Sequence, residues 1–93
     1  MKTVVIQIGN SDDKLRQVEW SRFVDSVRQL VEEYGDGVHF NGCSNGSSPW
    51  QNACFVVEAS DDNLDFIMSE LTRTRAAFRQ DSAAVTVGET TFV

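Results

Sequence analysis

Histidine is almost missing from this sequence: it has one, His39, and only two cysteines, Cys43 and Cys54. A structural zinc site needs four ligands of these types, usually with Cys-x-x-Cys spacing, which the chain lacks. A metal-binding HExxH motif needs a second histidine and is excluded. We therefore expect no metal, no cofactor and no catalytic centre built from several imidazoles.

Basic residues are also scarce, with 8 lysines and arginines against 14 acidic residues and a net charge of −6. A field of this sign repels phosphate backbones, so we expect no nucleic-acid partner. Arg73, Arg75 and Arg79 form a local basic cluster. Cations near the end of a helix are favoured by the helix dipole, which is the interpretation we prefer for all three.

Long apolar runs are absent. The segment MKTVVIQIGN contains an apolar run of five or six residues, too short for the core of a signal peptide and far too short to cross a bilayer. We expect a cytoplasmic protein with no membrane partner. In a reducing compartment, the two cysteines are most simply small thiols.

Nothing in the composition divides the chain, which has one proline, no internal repeat and no low-complexity linker. A sequence of 93 residues can bury one core and not two. We expect a single domain over residues 1–93.

Two periodicities alternate along the sequence. Alternation of β-branched residues over 3–8 predicts a strand, and apolar residues at three- and four-residue spacing over 18–34 predict a helix that includes Trp20 in its buried stripe. Ser60, followed by two aspartates, predicts the N-cap of a second helix. The remaining extended segments are about 37–42, about 50–59 and the AAVTV segment, 83–87.

The order β-α-β-β-α-β has one common solution at this length, the ferredoxin-like arrangement. It is an α+β sandwich with a four-stranded mixed or antiparallel sheet and both helices on one face. Right-handed crossovers place the first and third strands in the centre. This fold hosts many unrelated functions and identifies none of them.

Two glycines carry specific expectations. Gly35 follows the first helix, where a left-handed C-cap residue is commonly found. Val87-Gly88-Glu89-Thr90 fits a type II′ turn with glycine in its first central position. Such a turn would fold residues 91–93 back as a short fifth strand.

Two helices cover only one face of the sheet, so the other face is either wet or covered by a partner. Alternation places Gln7, His39 and Asn41 on that uncovered face, with Thr86 of the last strand, and places Phe40 in the core. The third strand is apolar on both sides, which is typical of a strand with cover on each face. The four polar residues are therefore candidate binding residues.

The segment GCSNGSSPWQNAC, residues 42–54, joins the two middle strands. Its Asn-Gly steps at 41–42 and 45–46 predict turns. Trp50 either caps the core or lies at a binding rim; we favour the cap and keep Trp50 and Asn52 as candidate binding residues. A turn near residue 48 or 49 would place Cys43 and Cys54 almost opposite each other, where a disulfide is geometrically conceivable.

Catalysis by His39 would need an orienting acid, for which Asp36 and Glu58 are candidates, and a nucleophile. No spacing requires either, so an enzyme is the less favoured interpretation. The leading interpretation is a small binding or interaction protein with a regulatory or phage-type accessory role. It would present the uncovered face and the 42–52 loop to a second copy or to another protein. The alternatives are a small-ligand sensor or a small enzyme, with Gln7, His39 and Asn41 inside a cavity formed by sheet-to-sheet pairing.

Overall fold

The computed structural model describes residues 1–45 and 50–93. The strands form a sheet of order β2-β3-β1-β4 in which all neighbours are antiparallel. The ferredoxin-like order and the central positions of the first and third strands are confirmed. The elements are β1 (Lys2–Gly9), a single 3-10 turn (Ser11–Asp13), α1 (Gln17–Tyr34), β2 (Gly37–Cys43), β3 (Asn52–Ala59), α2 (Asp61–Ala77) and β4 (Ala84–Glu89).

The core lies between the two helices and one face of the sheet. Every second residue of β1 and β3 is buried there, which is the pattern expected when one face of a strand is covered. Trp20 is 8% exposed, so its predicted place in the core is confirmed. The buried apolar residues are Val4, Ile6, Ile8, Leu15, Trp20, Phe23, Val27, Leu30, Val31, Ala53, Phe55, Val57, Ala59, Ile67 and Leu71.

The start of α2 is held from two sides. Ser60 is its N-cap, as predicted, and its Oγ accepts from the backbone N–H of Asn63 at 3.3 Å. Asp36, in the turn before β2, accepts from the backbone N–H of Ser60 at 2.7 Å and from Nδ2 of Asn63 at 3.1 Å. Asp36 therefore joins the end of α1 to the start of α2.

Gly35 does not adopt the left-handed conformation expected of it. Its φ is −77° and its ψ is 154°, which any residue can adopt. Its lack of a side chain matters because a Cβ here would lie 2.5 Å from the carbonyl oxygen of Val31 and 2.5 Å from Cγ1 of Val57. Close packing of α1 on β3, and not chain reversal, requires glycine.

The predicted turn at Val87–Thr90 is also wrong. Gly88 and Glu89 belong to β4, and Gly88 pairs with Thr3 of β1. A type II′ turn needs a positive φ at its glycine, and no glycine within residues 1–45 and 50–93 has one. Residues 91–93 accordingly form no fifth strand in the described chain.

Arg79, just after α2, has a positive φ of 60° and is tied to α1. Its guanidinium donates to Oε2 of Glu19 at 2.8 Å, and the backbone N–H of Arg16 donates to Oε1 of the same carboxylate at 3.2 Å. The hydrogen bond from Arg79, followed by that from Arg16, lowers the pKa of Glu19 from 4.5 to about 2.

A carboxylate with a lowered pKa stabilises the fold above its unfolded pKa and loses that contribution as the pH falls through its folded pKa. Acidification from about pH 4.5 to about pH 2 should therefore remove the stabilisation from Glu19. The effect is modest because the pair is partly exposed. Urea midpoints measured across this range should fall less steeply for Glu19→Gln than for the wild type, and parallel profiles would contradict the assignment.

Candidate functional site

The sheet face turned away from the helices is called the open face. Directly paired strand residues point to the same side of a sheet, so the pairing of β1 with β3 and β4 assigns each side chain to a face. The open face consists of Thr3, Val5, Gln7, Gly9, Gly37, His39, Phe40, Gly42, Asn52, Cys54, Val56, Glu58, Ala84, Thr86 and Gly88.

A β-bulge in β2 changes which side chains reach this face. The pairing of β2 with β3 shifts between Val38 and Phe40, which leaves His39 as the extra residue. Beyond the bulge the alternation is reversed, so that Phe40 lies on the open face and Asn41 on the helix side. The expected core position of Phe40 and the expected open-face position of Asn41 are both wrong for this reason.

An apolar row crosses the open face from one edge of the sheet towards the other. Phe40 pairs with Val56, Val56 with Val5, and Val5 with Thr86. Phe40 is 57% exposed, and both valines are partly exposed. A Cβ at Gly42 would lie 2.9 Å from Cζ of Phe40, so the missing side chain of Gly42 gives the ring room to lie flat on the sheet.

The bulge also brings His39 to Glu58. Nε2 of His39 lies 3.0 Å from Oε1 of Glu58, and the side chain of Glu58 is only 16% exposed. This Oε1 is fully buried and has no well-aligned hydrogen bond. Of the two acids considered as partners for His39, the structure therefore selects Glu58, because Asp36 instead binds Ser60 and Asn63.

Charge is depleted on the open face. Among its residues, Glu58 is the one acid and none is lysine or arginine, in a chain with 8 basic and 14 acidic residues. The ion pair of Lys2 and Glu89 lies next to this face but belongs to the helix side of the sheet. Their mutual hydrogen bond raises the pKa of Lys2 and lowers that of Glu89. Both groups thus stay ionised, outside the open face.

The two cysteines do not meet across the hairpin. Cys43 pairs with Ala53, and Cys54 pairs with Gly42, so the two side chains are offset by one residue and point to opposite faces. Both thiols are free, and the geometry does not fit the disulfide considered above. Cys54 lies on the open face. The turn predicted at Asn41-Gly42 is wrong, because both residues lie within β2 and pair with β3. The Asn-Gly turn at 45–46 and the expected reversal near 48–49 involve residues outside the described ranges.

Trp50 does not cap the core. It is 74% exposed and borders an open groove of about 380 Å³ where β1 ends and β3 begins. Asn52 and Gln51 line the same groove. Asn10 fixes its floor by donating to Oε1 of Gln51 at 2.8 Å. The groove adjoins the open face through Asn52.

The six candidate binding residues therefore separate into three places. Gln7, His39 and Thr86 share the open face, Trp50 and Asn52 border the groove at its end, and Asn41 lies on the other side of the sheet. The cavity proposed for an enzyme, with Gln7, His39 and Asn41 together, is not assembled within one chain. The apolar row was missed because the bulge that completes it has no sequence signal.

Two kinds of site are not found in the part of the chain that the structure describes. Residues 1–45 and 50–93 contain no cluster of three or more histidine, cysteine or acidic side chains arranged to hold a metal ion. Over the same residues, no helix is long and apolar enough to cross a membrane.

Comparison with solved structures places the chain among ferredoxin-like proteins. It is similar to a dimeric ferredoxin-like protein of unknown function from Thermobifida fusca, with a TM-score of 0.64 at 9% identity over 95% of this chain and 90% of the other. The de novo designed protein Foldit4 is similar with a TM-score of 0.63 at 9% identity, over 98% and 100% of the two chains. A PII-like signalling protein from Thermus thermophilus matches with a TM-score of 0.51 at 18% identity, over 94% and 82%.

These likenesses establish the fold. At such low identities they carry no residue-level function. No protein-family model matches the sequence, and no curated protein matches it.

Proposed function

We propose that this chain is a small interaction protein of one domain, residues 1–93, that acts through its open face and binds a second copy of itself there. The observation that carries the proposal is the apolar row of Phe40, Val56 and Val5, which no other element of the described chain covers. The proposal includes a cytoplasmic location and a regulatory or accessory role, both of which rest on the sequence alone.

The size and flatness of the open face suit a sheet-to-sheet contact. Four strands about 4.8 Å apart, each contributing about six residues at 3.3 Å, give a footprint of about 20 by 20 Å. In β-sandwiches, two sheets of this size pack face to face about 10 Å apart through their inner side chains. Phe40, with more than half of its surface exposed, is the side chain best placed to be buried by such a partner.

The charge distribution is compatible with a second copy at the open face. Each chain carries a net charge of −6, so most orientations of two copies bring like charges together. The open face holds one acid, Glu58, and places His39 beside it. Depletion of charge at the centre is a property of protein interfaces. Two acidic copies that meet through the open face therefore bring few like charges together at the centre of the contact.

The comparisons support self-association without assigning it. The protein from Thermobifida fusca is described as dimeric and ferredoxin-like, so a chain of this fold does pair with itself. Dimerisation is a property of that protein, and for this chain it has to be measured as the mass in solution.

Phe40→Asp is expected to abolish the dimer. A charge in the apolar row would be buried without a partner, and we expect dissociation to be favoured at least about a hundredfold. The matched control is Phe66→Asp, because Phe66 is 56% exposed against 57% for Phe40 but lies on α2, away from the open face.

The measurement is light scattering at micromolar concentration with reductant present. The wild type and Phe66→Asp should give twice the 10.4 kDa mass of one chain, and Phe40→Asp should give the single mass. A monomeric wild type, or a dimer that survives Phe40→Asp, would contradict the proposal.

The groove beside Trp50 supports a second candidate function, binding of a small ligand. The groove has a volume of about 380 Å³, and Trp50 offers an exposed indole at its border. We expect a binding metabolite to raise the melting temperature of the wild type and not of Trp50→Ala. Nucleotides, amino acids and short carboxylic acids at millimolar concentration form the first panel, and the absence of any shift would remove this candidate.

A further inference from the structure

The carboxylate of Glu58 is unusual for a group on an uncovered sheet face. Its side chain is 16% exposed, its Oε1 is fully buried, and the neighbour close to that oxygen is Nε2 of His39 at 3.0 Å. The bulge at His39 is what turns the imidazole towards it. The negative charge on the Glu58 carboxylate is therefore balanced only when a proton is bound to either His39 or Glu58.

Other charged groups around the pair do not compensate Glu58. Across the sheet, β1 presents neutral Thr3 opposite Glu58, and β2 presents Gly37. Asp36 precedes β2, but both of its carboxylate oxygens are occupied, by Ser60 and by Asn63. Lys2 and Glu89 pair with each other on the helix side. No lysine or arginine in residues 1–45 and 50–93 forms an ion pair with Glu58.

We propose that association through the open face takes up one proton at the His39–Glu58 pair of each copy, so that the dimer strengthens as the pH falls. This inference rests on the proposed function, because it concerns the regulation of the same face. Covering the face removes water from a carboxylate that is already mostly buried. The pair is neutral overall with its proton bound and carries one negative charge without it.

The direction follows from linkage. If the dimer binds more protons than two separate copies, the association constant rises as the pH falls. Histidine is the side chain that ordinarily exchanges its proton between about pH 5 and pH 8, and the chain contains one histidine.

The experiment is sedimentation equilibrium at about pH 8 and about pH 6 on three proteins, the wild type, His39→Gln and Glu58→Gln. Two protons per dimer set a ceiling of about a hundredfold in Kd for each pH unit. For the wild type we expect Kd to fall about tenfold or more between the two conditions. The chain also becomes less negative overall on acidification, so the variants are needed to isolate this pair.

Glu58→Gln removes the buried charge and should dimerise at about pH 8 as tightly as the wild type does at about pH 6, with little dependence on pH. His39→Gln removes the chain's one imidazole, and its Kd should stay near the wild-type value of about pH 8 at both conditions. A rise in Kd for Glu58→Gln at the higher pH would overturn the inference.

The two proposals fail in different ways. A wild type that is monomeric at both pH values would remove the proposed function and this inference with it. A wild-type dimer whose Kd is the same at both pH values, or whose response to pH persists in both variants, would overturn the inference alone and leave the open-face dimer intact.

Discussion

Alanine in place of Phe23 is expected to lower the free energy of unfolding by about 3–5 kcal/mol. Phe23 is fully buried on α1. Its ring meets Trp20 edge to face, with centroids 6.1 Å apart, and stacks on Phe78 at 5.0 Å. Phe78 is the C-cap residue that follows α2, so the cavity left by the substitution would loosen the contact between the two helices as well as that between α1 and the sheet.

The loss is large against the total stability of about 5–15 kcal/mol that such chains usually have. Urea unfolding followed by circular dichroism measures it. Phe66→Ala is the control, because Phe66 is 56% exposed and only stacks on Tyr34, at 5.7 Å, so we expect a loss below about 1 kcal/mol. Equal losses in the two variants would show that Phe23 is not central to the core.

The elements that were predicted correctly depend on local periodicity. β1 shows the two-residue alternation of a strand with one buried face, β3 is a short apolar run, and α1 carries its apolar residues at helical spacing because one stripe meets the sheet. The cap at Ser60 is local too, since it involves Asn63 three residues later. Order and type of elements were then enough to give the topology.

The features that were missed depend on contacts distant in sequence. The segment GVHFNG alternates apolar and polar residues perfectly, so nothing in it indicates that an extra residue is inserted at His39. Gly88 has the sequence context of a turn, yet it continues β4 because it pairs with Thr3, far away in the chain. Local turn preferences are weak against strand pairing with β1.

The candidate site was predicted in outline and wrong in detail. The expectation of an uncovered face with Gln7, His39 and Thr86 follows from alternation alone, and the structure places those three residues there. The same bulge that removes Asn41 from that face adds Phe40 to it. One unpredicted residue thus extends the apolar pair of Val5 and Val56 to an exposed aromatic ring at the edge of the sheet, and the proposed interaction depends on this change.

Gly35→Ala is expected to lower the free energy of unfolding by about 2–3 kcal/mol, because the new Cβ would overlap two atoms of a packed interior. Those atoms, the carbonyl oxygen of Val31 and Cγ1 of Val57, both lie 2.5 Å from the Cβ position. The first is backbone and the second belongs to a fully buried side chain, so neither moves without shifting α1 against β3. Gly37→Ala is the matched control, since no atom lies within 4 Å of its Cβ position.

A third variant separates this packing explanation from the left-handed cap expected from sequence. Asparagine tolerates the left-handed conformation better than alanine, so a cap would make Gly35→Asn the milder substitution. If steric overlap is the reason for glycine, Gly35→Asn should be at least as destabilising as Gly35→Ala, because the asparagine side chain is larger. Urea midpoints of the three variants decide the question. A loss for Gly35→Ala equal to that for Gly37→Ala, or a clearly smaller loss for Gly35→Asn, would show that steric contact with Val31 and Val57 is not the reason for glycine here.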